Sequence, residues 1–202
     1  MFRSFGAAGP FVPVKIVTTK KIYHINISVM KKVFASVLVL IAATSMACAQ
    51  GNKASRPSPP DSTTGKIGSA TVTVNYSSPS MKGRKLTDLA PYSKVWRAGA
   101  NEATTFETDK NIKVEGKDLP AGKYSLFIMP NENEWQFIFN SQIGQWGIKR
   151  GGDANLDSTK TVLMVSAKPK KSASMTERLV YQVNRNGLLM KWENVEVPLA
   201  IK

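Results

Sequence analysis

The sequence contains one histidine, His24, and one cysteine, Cys48, and both precede the stretch where β-patterning begins. Beyond Cys48 the chain therefore has no His/Cys zinc site, no Ser-His-Asp triad, no cysteine nucleophile and no disulfide. Any catalysis there must rest on carboxylates, lysine, tyrosine or hydroxyl groups, and the reading leans away from an enzyme. Helical periodicity is also scarce. No segment carries a 3.6-residue apolar stripe, and RKLTDLAPYSKVW (84–96) accommodates at best one helical turn before Pro91. No internal repeat suggests a solenoid. Acidic residues are missing from the first 49 positions, which hold six of the 28 basic ones.

Residues 30–49, MKKVFASVLVLIAATSMACA, run from two lysines through an apolar stretch (33–43) to small residues. That order is a secretory signal, and its apolar run is too short to span a bilayer. Ala47-Cys48-Ala49 ahead of Gln50 supplies an A-x-A cleavage pattern, so the expectation is an exported chain, periplasmic or extracellular. Lipid attachment at Cys48 is the alternative, although Ser45 and Met46 suit a lipobox poorly. Residues 1–29 lack periodicity and caps and read as a misassigned or disordered extension ahead of Met30.

Residues 50–202 keep 22 basic against 14 acidic residues, a net charge of +8. The lysines are scattered, and no Arg/Lys stripe interleaves with aromatics. Nucleic-acid binding is not expected, nor is a transmembrane helix, and ordinary solubility accounts for the charge.

Residues 51–65, GNKASRPSPPDSTTG, are rich in Pro, Ser, Thr and Gly, so 50–65 reads as a flexible linker and 66–202 as the folded domain. In TVTVNY (71–76) Val72, Val74 and Tyr76 share one face, the mark of a half-buried strand. Further strands are expected at 104–108, 112–115, 123–129, 135–140, 161–167, 177–184, 188–192 and 195–201. GKDLPAG, PNENE and NRNG read as the turns between them, and KPKKSAS (168–174) as a solvated link. The fold class is all-β: a single antiparallel β-sandwich or barrel-like domain of about eight to nine strands.

The stretch YSSPSMKGRKLTDLAPYSKVWRAGANEATTFET, continued by VEGKDLPAGKYSLFIMP, EWQFIFN, QWG and LLMKWENVEVPLAI, resembles the bacterial secreted family called domain of unknown function 2911. The similarity covers nearly all of residues 56–201. After QWG this chain has the Gly-rich IKRGGDANLD where an aromatic-rich connection is expected. The resemblance implies an exported β-domain and carries no established activity.

Trp96, Arg97, Asn101 and Glu102 form the densest constellation. An arginine fork beside an amide and a carboxylate suits a sugar or carboxylated ligand, with tryptophan as a stacking face. The competing reading is a latch in which Arg97 pairs with Glu102 and Asn101 ties down the Gly99 turn. Arg84, in the loop YSSPSMKGRK, would complete an anion site if the two loops meet. Trp146 is the tryptophan expected to be exposed, whereas Trp135 and Trp192 sit in apolar strand runs and read as core. Asp153, Asn155 and Asp157 form a D-x-N-x-D array, but Ser158 and Met164 stand where an EF-hand needs Gly and Glu, so no metal and no cofactor is assigned.

A carboxylate-based hydrolase would need a partner for Glu102 from Glu107, Asp88, Asp153 or Asp157, and no spacing selects one. The expectation is thus an envelope module binding a small polar or glycan-like ligand, or a protein partner. The alternatives are a glycoside hydrolase and a purely structural envelope protein. No oligomeric state is assigned.

Overall fold

The computed structural model describes residues 52–202. The extension at 1–29, the signal at 30–49, and His24 and Cys48 within them, lie outside the described residues. Strand order follows from alternation and from turn chemistry. β1 (Pro60–Ile67), β2 (Ala70–Ser77), β3 (Thr105–Thr108), β6 (Gly122–Met129), β7 (Trp135–Asn140) and β8 (Thr161–Ala167) make one antiparallel sheet in the order β1-β2-β3-β6-β7-β8. A long hairpin of β9 (Lys170–Asn184) and β10 (Gly187–Ala200), and a short one of β4 (Ile112–Val114) and β5 (Lys117–Leu119), complete the ten strands. The chain end joins the two hairpins, since Lys113 and Lys202 exchange backbone hydrogen bonds at 2.8 and 2.9 Å. One helical turn, α1 (Leu86–Leu89), precedes Pro91 as expected.

The main core lies between the large sheet and the β9–β10 hairpin. Val72, Val74, Phe106, Leu126, Phe137 and Phe139 from the sheet share one cluster with Leu179, Tyr181, Leu188, Met190 and Trp192 from the hairpin. β6 and β7 are apolar on both faces, and their outer face carries a second, smaller cluster. There Phe127 and Ile138 are covered by Ala103, Val95, Ala154 and Leu156, all from loops. An antiparallel strand is usually solvated on one side, so this continuous apolar run marks the place where loops fold back over the sheet. The architecture is the all-β, sandwich-like one expected, with Trp135 and Trp192 buried in it.

Four expectations are corrected. The described part of the expected linker 50–65, residues 52–65, is no flexible linker: Pro60–Gly65 belong to β1, paired residue for residue with β2, and Lys53–Ser55 form a 3-10 turn. PDSTTGKI shows no apolar alternation because its hold is polar. Besides the pairing, Thr63 Oγ1 accepts from Val183 N at 3.2 Å, and Gly65 leaves room for the Val183 side chain. KPKKSAS is mostly strand, since β9 begins at Lys170; its first half is largely solvated, so its side chains give no period-two signal. GKDLPAG contains β5, and the two strands expected at 188–201 are one continuous β10 with register shifts near Glu193.

Candidate functional site

Trp96 opens the site. Its backbone N–H and C=O pair with Ile128 at 2.7 and 2.9 Å, so this short extended segment continues the sheet beside β6. Alternation then sends neighbouring side chains to opposite faces. Trp96 faces the main core, 8% exposed, and stacks on Trp192 with ring centroids 5.3 Å apart and planes at 18°. An offset stack of this kind adds about 0.5–1.5 kcal/mol beyond burial. The Trp192 indole N–H finds no hydrogen-bond partner among the described residues, a desolvation cost that burial of the two rings offsets. Trp96 is therefore a core residue and no open stacking face.

Val95 and Arg97 go the other way. Arg97 is half-buried, its Nε donates to Gly99 O at 3.2 Å, and burial lowers its pKa. Its stem lies against Gly147, where any side chain would collide with Arg97 and crowd Asn101 O. WRAG and QWG thus fit together as guanidinium stem and the gap that admits it.

After Arg97 the chain makes a strained, buried turn. Ala98 (φ 54°) and Asn101 (φ 58°) both adopt left-handed backbone, which costs a non-glycine residue about 1–2 kcal/mol. Ala98 O accepts from Tyr181 Oη and from Thr104 Oγ1, each at 2.9 Å, and these two bonds fix the conformation. A Cβ on Gly99 would lie 2.7 Å from Thr104 Oγ1 and 3.1 Å from Ser77 O, so only glycine fits there.

Asn101 and Glu102 then face the incoming N-terminal segment. Asn101 Nδ2 donates to Ser58 O at 2.8 Å. Arg56 Nη1 donates to both Glu102 carboxylate oxygens at 3.1 and 3.0 Å, and Lys53 Nζ reaches Oε1 at 3.0 Å. Partial burial opposes ionisation of Glu102, but its own backbone N–H and the side chains of Lys53 and Arg56 outweigh it and hold the carboxyl down at about 2. The expected Arg97–Glu102 pair does not form; among the described residues Arg97 makes no ion pair. The four-residue constellation is divided between core, cleft and N-terminal segment. Sequence spacing gave no sign of Arg56 and Lys53, which lie in a stretch with linker composition.

The cleft that Arg97 faces has a volume of about 780 Å³. One wall is the segment from α1 to Arg97, with Asp88, Leu89 and Lys94; the other is the loop 148–156, with Ile148 and Asp153. Its floor is rigid, because Val95 and Leu156 pack on Phe127 and Ile138 of the sheet. Arg84 is not in this cleft. Its Nε and Nη2 donate to Met81 O and Ser80 O at 3.0 and 2.8 Å, folding it onto its own loop. Trp146 is 47% exposed as expected, but it does not line the cleft; its backbone bridges Glu102.

Two members of the D-x-N-x-D array, Asn155 and Asp157, are used internally. Asn155 Nδ2 donates to Trp146 O at 3.0 Å, while Asp157 Oδ1 accepts from Thr159 N and Oγ1 at 3.1 and 2.6 Å. Among the described residues, no group of three or more His, Cys, Asp and Glu is placed to hold a metal.

Fold and cleft define a class: an all-β module carrying a loop-walled cleft on the outer face of its larger sheet. The chain belongs to the family described as "Protein of unknown function (DUF2911)", whose model matches residues 58–201. The match starts two residues before β1, so that edge strand is part of the shared domain. No curated protein and no solved structure matches the chain.

Proposed function

We propose that this protein is an exported, non-enzymatic binding module of the cell envelope whose cleft takes a small polar or glycan-like ligand through an anionic group docked on Arg97. One observation carries the reading: a half-buried guanidinium, locked by its stem and without an ion pair among the described residues, lines an open cleft. A planar fork of this kind favours a carboxylate or similar oxyanion. The Val95–Leu156 floor supplies apolar surface for the ligand body, as small-molecule sites generally do.

The test is a thermal-shift panel of uronic acids, amino acids, short peptides and neutral sugars on the purified protein, with Arg97→Met alongside. At a ligand concentration of about 100 Kd, binding adds about 2.7 kcal/mol, a rise in Tm of roughly 5–10 °C for a domain this size. A shift with carboxylated ligands that disappears in Arg97→Met supports the reading; no shift across the panel counts against it. A second reading, hydrolysis of a glycan by paired carboxylates, no longer rests on Glu102, which faces away. It rests on Asp88 and Asp153, which line the two walls of the same cleft. Release of reducing ends from soluble polysaccharide, abolished in Asp153→Asn, would favour it.

A further inference from the structure

The same cleft carries charges of both signs on facing walls. Asp88, Lys94 and Arg97 come from one wall and Asp153 from the other. None of the four is in an ion pair among the described residues. Asp88 Oδ2 accepts from Lys85 N at 3.0 Å. At Asp153 the backbone carbonyl is engaged, by Lys149 N at 2.8 Å, while the carboxylate has no hydrogen-bond partner among the described residues.

Opposite charges left unpaired in one open cleft select a ligand that spans them. A purely anionic ligand on Arg97 brings its charge near Asp88 and Asp153, and a purely cationic one meets Lys94 and Arg97; each arrangement sets like charges together. The same cleft is also lined by Leu89, Val95, Ile148 and Leu156, which suit an apolar body. We infer that the cleft selects a zwitterion with an apolar body, a short apolar peptide, whose carboxylate docks on Arg97 and whose ammonium group docks on Asp153. This rests on the proposed reading of the cleft and narrows its ligand. Gly151 and Gly152 carry nothing within 4 Å of an added Cβ, so the Asp153 wall has space to adjust to peptide length.

The experiment is calorimetric titration of the full chain with leucyl-leucine, N-acetyl-leucyl-leucine and leucyl-leucinamide. The free dipeptide is expected to bind at least tenfold more tightly than either blocked form. Asp153→Asn should bring it down to the N-acetyl level, and Arg97→Met to the amide level; both substitutions keep size, and circular dichroism checks that each variant is folded. If the N-acetyl peptide binds as tightly as the free one and Asp153→Asn changes nothing, the ligand is simply anionic: the inference falls and the cleft reading stands. If uronic acids bind and no dipeptide does, the inference falls in the same way. If neither peptides nor any carboxylated ligand binds, both fall.

Discussion

Glu102 is neutralised by an arginine 46 residues earlier in the chain, and that separation gives the pair its structural effect. Arg56, Lys53 and Ser58 hold the N-terminal segment against Asn101 and Glu102, and Asn101 O in turn accepts from Gly147 N at 2.9 Å, beside the Arg97 stem. The Glu102 carboxyl sits at about 2 in the folded state against an ordinary 4.5. A folded value below the unfolded one means that the contribution is complete above pH 4.5 and is lost as pH falls through 2. The side chain is 40% exposed, so solvent screening limits its share to about 1 kcal/mol or less. Urea midpoints measured from pH 6 to pH 2 should therefore decline across that window, and Glu102→Gln should remove this component of the decline. A variant with the same slope as the parent would place the pH dependence on other carboxylates.

Among the elements, β1 is the most instructive, because it forms without the pattern by which strands are read. TVTVNY, WQFIFN and TVLMVSA announce β2, β7 and β8 through alternation or continuous apolar runs, and the structure places them there. β1 is held by pairing with β2, by the Thr63–Val183 hydrogen bond and by a gap at Gly65, none of which has a periodic signature. The exposed half of β9 was hidden for the same reason. The site was legible in the same partial way: WRAGANE marks a special place, but alternation about the Trp96–Ile128 bridge separates Trp96 from Arg97, and the partners of Glu102 sit in linker-like sequence. A chain beginning at Lys66 would lose the β1 pairing, leave the β2 edge open and remove Arg56. It should forfeit most of the ~5–15 kcal/mol typical of a domain, seen as a broad or absent urea transition. A truncated chain as stable as one beginning at Asn52 would return residues 52–65 to the status of a leader.

For the whole molecule, the two faces of the large sheet have separate tasks. The inner face makes the main core with the β9–β10 hairpin, while the outer face of β6 and β7 supports the two loops that wall the cleft. A cleft built this way keeps a rigid floor while its rim changes, as binding loops on a β-scaffold do. The described fold begins at Asn52, and its first side-chain anchor, Lys53, follows the expected processing point at Gln50 by three residues. Cleavage after Ala49 would then leave almost no slack ahead of the anchored segment, and lipid attachment at Cys48 would hold the Glu102 face close to a membrane surface. The two routes differ in an observable. Intact mass of the protein recovered from the periplasmic or medium fraction should correspond to a chain starting at Gln50, with no acyl mass. Recovery only from detergent-extracted membranes, with acyl mass on a chain starting at Cys48, would establish the anchored form instead. In that case the cleft would be sampling ligands at the envelope surface, since a tether of four residues, reaching at most about 14 Å, leaves the domain little freedom to leave it.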